Sequence, residues 1–155
     1  MILSNVDTKA MPRSRAEKPS SDVFSPPFIQ LDYLYTPSAD VAADMKYFID
    51  VLGAEVAFAV EGMGARVAML RLTEGPPHIL LTDHLEGDST IFIYRVAGFD
   101  SALRDLKARG WKKAHNLEIP MGPCCSFTTP GGQRVAVYEL SRPQVLDHFL
   151  GRRDF

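Results

Sequence analysis

Residues 28–56 read FIQLDYLYTPSADVAADMKYFIDVLGAEV, and this stretch decides the fold. "FIQLDYLY" (28–35) is rich in aromatic and aliphatic residues and bounded by a Thr-Pro turn, which predicts a β-strand. Ser38 and Asp40 both suit a helix N-cap. In "VAADMKYFIDVLG" (41–53), Val41, Met45, Phe48, Ile49 and Leu52 recur at helical spacing, so one face is apolar. Gly53 stands where a helix C-terminus wants a left-handed residue. Three short strands are then predicted from "AEVAFAV", "RVAMLRL" and "HILLTD", with "TEGPP" separating the last two.

The same order returns downstream. "STIFIYRV" predicts a strand. "GFDSALRDLKARG" predicts a helix with Phe99, Leu103 and Leu106 inward and Gly110 as its stop. "KKAHNLEI", "CCSFTT" and "RVAVYEL" predict three more strands. Gly53 and Gly110 lie 57 positions apart, and that offset carries the strand at 77–82 onto 134–139. Two βαβββ units in tandem are expected, at 28–83 and 89–140, in an α+β domain with one curled mixed sheet and a concave cup. Residues 1–27, rich in Ser, Pro and charge, read as a flexible tail. Residues 141–155 read as a closing helix, with Ser141 as N-cap and Pro143 in its first turn, followed by a tail. The final "GRRDF" reads as a charged exit tail or a salt-bridged dimer contact, and the large apolar ring of Phe155 favours the contact.

Composition narrows the function. Of 155 residues, 46% are hydrophobic and 23% charged, and the net charge is −2. Nothing basic offers a footprint for nucleic acid or for a membrane surface. No apolar run approaches the roughly 20 residues that span a bilayer, and the N-terminus lacks the pattern of a secretory signal. The two cysteines, Cys124 and Cys125, are adjacent and read as free thiols. That suits a reducing cytoplasm.

The tandem units, the strand–helix–"LG" opening at 31–56 and the closing "FTTPGGQRVAVYEL" at 127–140 resemble the vicinal-oxygen-chelate superfamily. This is the group of glyoxalase I, bleomycin-resistance proteins and extradiol dioxygenases. The resemblance covers residues 28–140. It implies a cup as the site, a homodimer, and in the enzymes one divalent metal held by His, Glu or Gln from the first and last strand of each unit. Carried over, the metal positions fall on Tyr33, Leu80, Thr90 and Ala136. None of these is a good ligand for a divalent metal. The resemblance therefore implies a frame without its metal.

Strand alternation extends the set. If those four residues face the cup, so do Tyr35, His78, Phe92, Tyr94, Arg134 and Tyr138. An aromatic wall with a few polar groups is the make-up of a small-molecule pocket. The expected function is metal-independent binding of a planar or anionic organic ligand, with no cofactor. The alternatives are a metal-dependent lyase, isomerase or dioxygenase of the same superfamily, and a dimeric interaction module without chemistry. No catalytic residue stands out. Cys124 or Cys125 as a nucleophile lacks a neighbouring base or helix N-terminus.

Overall fold

The computed structural model describes residues 26–112 and 115–155. The expected tail at 1–27 lies outside the described residues except for Pro26 and Pro27. No described helix is long and apolar enough to cross a membrane.

Strand β1 spans Phe28–Pro37 and helix α1 spans Val41–Asp50. Of the two possible caps, Asp40 closes the helix start: its carboxylate accepts from the Ala43 N–H at 3.0 Å. Gly53 ends the turn at φ +74°. Val41 and Met45 are buried beneath the helix as the periodicity requires. Strands β2 (Glu55–Gly62) and β3 (Ala65–Arg71) form a hairpin, and Met63 and Gly64 take positive φ at its tip, as a two-residue turn demands. Strand β4 (His78–Thr82) completes the first unit.

The second unit repeats the order: β5 (Ile91–Val96), α2 (Phe99–Ala108), β6 (His115–Ile119), β7 (Gly122–Thr128) and β8 (Arg134–Glu139). All eight strands form one sheet in the order β2-β3-β4-β1-β5-β8-β7-β6. β1 and β4 run parallel, as do β5 and β8, while β1 and β5 pair antiparallel and join the two units.

Three apolar clusters separate the two sides of the sheet. Under α1, Val41, Met45, Leu70 and Leu81 pack together. Under α2, Val96, Ala102, Cys125 and Val137 do the same, with Tyr94, Trp111 and Phe127 at the edge. On the concave side the third cluster gathers Tyr33, Phe58, Met69, Leu80, Ile91, Cys124, Ala136 and Tyr138.

The C-terminal segment departs from expectation. Pro143–His148 is a 3-10 helix whose N-cap is Arg142, without a side-chain cap, in place of Ser141. The final "GRRDF" lies along its own chain. It folds back on β2: the Ala59 N–H donates to Arg152 O (2.8 Å), Gly151 N–H to Ala57 O (2.8 Å) and Asp154 N–H to Ala59 O (2.7 Å). Phe155 packs against the α1 cluster, with the Arg66 guanidinium 4.8 Å from its ring centre. An edge strand exposes unpaired backbone groups, and this segment covers them on β2.

Candidate functional site

Three of the four positions carried over from the resemblance meet on the concave face: Tyr33, Leu80 and Ala136 share one cluster. Thr90 does not join them. It precedes β5 and shares a 3.2 Å hydrogen bond with Thr36. Phe92 and Tyr94 are also turned away from the cup. Phe92 pairs with Leu34 and Val135, and Tyr94 pairs with Val137 and stacks on Phe28 at 5.1 Å beside α2. Ile91 and Ile93 take their places in the cup. The reason is phase. α1 and α2 start at 41 and 99, an offset of 58, not the 57 between Gly53 and Gly110. One residue turns a strand over.

The middle of the cup is closed by the chain itself. Phe58, Met69 and Cys124 fill it beside Tyr33, Leu80, Ile91 and Ala136. Phe149, from just beyond the 3-10 helix, packs on Phe58 with ring centres 5.7 Å apart. Met121 and Leu140 add to the same cluster.

One pleat further along the strands the cup turns polar. The ladder of β1 shifts register between Leu31 and Tyr33, so Leu31 pairs with Tyr94 while Tyr33 pairs with Ile93. Such a bulge re-aims a side chain, and here the buried Asp32 reaches the concave side. Its Oδ2 accepts the Tyr138 hydroxyl, and its Oδ1 accepts from Gln30 Nε2 at 2.7 Å. Arg95, paired with Tyr138 across β5 and β8, places Nε 3.5 Å from Asp32 Oδ2, an ion pair without a hydrogen bond. His78 pairs with Tyr33 on the other side of β1. Two buried polar atoms border this cluster without a hydrogen-bond partner, Arg95 Nε and His78 Nδ1.

The electrostatics follow from burial. Burial, then the hydrogen bond to Asp32, pushes the Tyr138 phenol far above its ordinary range. Burial and the Asp32 charge raise Tyr33 as well. Burial, then the Arg71 charge, lowers His78. At neutral pH the cluster therefore offers two protonated phenols and a neutral imidazole beside the Asp32 and Arg95 side chains.

The opposite end carries different chemistry. The Tyr35 hydroxyl and His84 Nε2 share a 3.0 Å hydrogen bond, and the buried Thr82 hydroxyl meets His84 Nδ1. Burial raises Tyr35. Arg134 is spent on the loop between β4 and β5, donating Nη1–H to Glu86 O (2.8 Å) and Ser89 O (3.3 Å).

Sequence reading placed Tyr33, Tyr35, His78, Leu80, Ala136 and Tyr138 on the correct face and missed Asp32 and Arg95. The signal available was a charge inside each of two otherwise apolar strands, "LDYLY" and "FIYRV". Of the two cysteines, Cys124 faces the cup and Cys125 the α2 side.

A divalent metal does not fit the carried-over positions: a phenol, one aliphatic side chain and a methyl group converge there, with Ile91 standing where Thr90 was expected. Among the described residues no group of three or more His, Cys, Asp or Glu is placed to hold one. Asp83 accepts from the Arg66 N–H, and His84 is engaged by Tyr35 and Thr82.

No family model matches the chain, and no curated protein matches it. Solved structures do. A methylmalonyl-CoA epimerase from Mycobacterium tuberculosis superposes with a TM-score of 0.64 at 17% identity, covering 78% of this chain and 94% of that one. A methylmalonyl-CoA epimerase from Streptomyces coelicolor in complex with 2-nitronate-propionyl-CoA gives 0.59 at 16%, covering 74% and 99%. A hypothetical protein from Bacillus halodurans gives 0.61 at 12%, covering 71% and 93%. The curled, unclosed eight-stranded sheet built from two βαβββ units is thus the vicinal-oxygen-chelate fold.

Proposed function

We propose that the chain is a small-molecule-binding protein that takes a planar or anionic organic ligand at the polar end of its cup, without a divalent metal. The observation that supports this is the cluster of Asp32, Tyr138, Arg95 and His78, with Arg95 Nε and His78 Nδ1 buried and without a hydrogen-bond partner. Buried polar atoms are nearly always partnered, so two orphans beside one carboxylate suit an occupant. A ligand carboxylate accepting from Arg95 gains a charge-assisted hydrogen bond, and the Tyr33 ring supplies a flat wall. In this reading Tyr33, Leu80 and Ala136 hold the floor. Arg134 and Tyr35 shape the far rim.

A second reading is an isomerase, supported by the epimerases among the structural neighbours. There Asp32 acts as the base for a proton beside a ligand carbonyl, and Tyr138 fixes the carboxylate in place. The protein acts as a homodimer in the cytoplasm, where its two free thiols stay reduced.

Native mass spectrometry of freshly purified protein, with elemental analysis of the same sample, tests the first reading. A metal-free dimer carrying an organic adduct that is lost in Arg95→Met supports it. About one divalent metal per chain, required for ligand binding, overturns it.

A further inference from the structure

On the outer face of the second unit, away from the cup, the C-terminal half of α2 and the start of β6 enclose a depression of about 430 Å³. Its walls are Leu103, Arg104, Lys107, Trp111, Lys112 and Asn116. The volume falls in the range of roughly 300–1,000 Å³ typical of small-molecule sites.

The chemistry of the lining is one-sided. Among the described residues it holds three cations, one amide and no carboxylate. Elsewhere five cations are ion-paired, Lys46 with Asp50, Arg66 with Glu61, Arg71 with Glu55, Arg109 with Asp105 and Arg152 with Asp154, while Arg153 is exposed outside these pairs. No ion pair engages Arg104, Lys107 or Lys112 among the described residues. The chain as a whole carries −2, so this concentration of positive charge is local. Arg104 and Lys107 are three apart on one helix face, and Lys112 comes from beyond the helix end, so the charges approach from two sides.

The floor is rigid. Trp111 is held edge-on against Phe127 with ring centres 5.8 Å apart, and its backbone N–H donates to Leu106 O at 3.0 Å. The indole N–H is buried and has no partner. Beside Leu103, the ring offers a flat apolar surface of the kind on which aromatic groups stack. The C-terminal dipole of α2 opposes an anion here by about 0.3–1 kcal/mol. Three cations outweigh it.

We propose that this depression binds a nucleoside di- or triphosphate. The base lies against Trp111 and Leu103, and the phosphates lie among Arg104, Lys107 and Lys112. A single carboxylate would leave two cations unmatched, whereas a polyphosphate uses all three. Arg104 adds the forked donors that suit phosphate oxygens. The site is separate from the cup and does not depend on the function proposed for it.

Trp111 is the sole tryptophan of the chain, so its emission reports the site directly. The test is a fluorescence titration of the full chain, excited at the red edge of the indole band, with ATP, inorganic pyrophosphate and adenosine. The expected result is a saturable change with ATP, a weaker one with pyrophosphate and none with adenosine over the same range. The midpoint should rise with salt. The double variant Lys107→Glu, Lys112→Glu should weaken ATP binding by about tenfold or more. Both side chains are exposed, so its circular dichroism and melting temperature should match those of the parent. No saturable change with ATP, or an equal change in the charge-reversed variant, overturns the proposal. So does a response to polyglutamate but not to ATP, which would make the patch a docking surface for acidic protein.

Discussion

Tyr138 donates its phenol hydrogen to Asp32, tying the last strand of the sheet to the first across 106 positions of sequence. Tyr138 is 1% exposed and Asp32 7%, so this bond is made away from water. Removing one partner leaves the other buried and unsatisfied, which costs more than the bond itself is worth. Tyr138→Phe should therefore lower stability by about 1–3 kcal/mol, read as a lower urea midpoint at unchanged slope. A double-mutant cycle with Asp32→Asn should show coupling. Additive effects would mean that the two side chains do not meet in solution.

Alkaline stability follows from the same bond. Tyr33, Tyr35 and Tyr138 are all raised from their ordinary value, with burial the leading cause for each. A phenol raised in the folded state contributes stability that is complete below the unfolded value near 10 and is lost as pH climbs toward the folded value. The urea midpoint should hold between pH 7 and 9 and fall from about pH 10 upward. Tyr138→Phe should flatten that fall. A variant as pH-sensitive as the parent would show that Tyr138 does not report on folding.

On the acid side the group to watch is His78. Burial, then Arg71, lowers it, so folding favours the neutral ring. The unfolded chain takes up the proton first, and stability falls as pH drops below about 6.5 until the folded group titrates too. A proton NMR titration should find the His78 ring protons moving below that pH. In Arg71→Gln the midpoint should shift upward. A His78 titration at or above the ordinary value would contradict this placement.

The repeat of strand, helix and three strands was legible because its signals are local. Val41 and Met45 pack under α1 at the predicted spacing, and Gly53 takes the left-handed turn. Tyr33, Leu80, Ala136 and Tyr138 were legible together because alternation is rigid within a strand. Phase between strands is not local. A single residue of difference between the units sent Thr90, Phe92 and Tyr94 to the wrong face. The bulge that turns Asp32 inward is a property of the β1–β5 ladder; the charge in "LDYLY" marks the residue but not the register shift. Close approaches are equally silent: a Cβ on Gly122 would lie 2.0 Å from the Glu139 carbonyl oxygen, and only the β7–β8 pairing reveals why glycine stands there.

Cys124 gives a chemical check on how tightly the cup is filled. Burial, then the neighbouring Cys125, pushes its thiol up to about 12, so almost no thiolate exists at pH 8. Iodoacetamide should leave both cysteines unmodified in the native protein and label two after denaturation. Rapid labelling of Cys124 under native conditions would mean that the cup opens in solution.

β2 ends the sheet on one side, and the segment around Arg152–Asp154 supplies the hydrogen bonds that its outer backbone lacks. Asp154 also accepts from the Glu61 N–H at 2.9 Å, and Phe155 adds an apolar anchor. Deleting residues 151–155 removes all of this at once. The loss of one partly buried ring and its contacts should lower stability by about 1–3 kcal/mol. It also bares a strand with Ala57, Phe58 and Ala59 at its centre, and an uncovered edge is a template for pairing with another chain. Sedimentation velocity of the truncated protein should show species larger than those of the full chain, growing with concentration. Unchanged stability and sedimentation would mean that the tail does not cover β2 in solution. The edge would then have to be protected by a second copy of the chain.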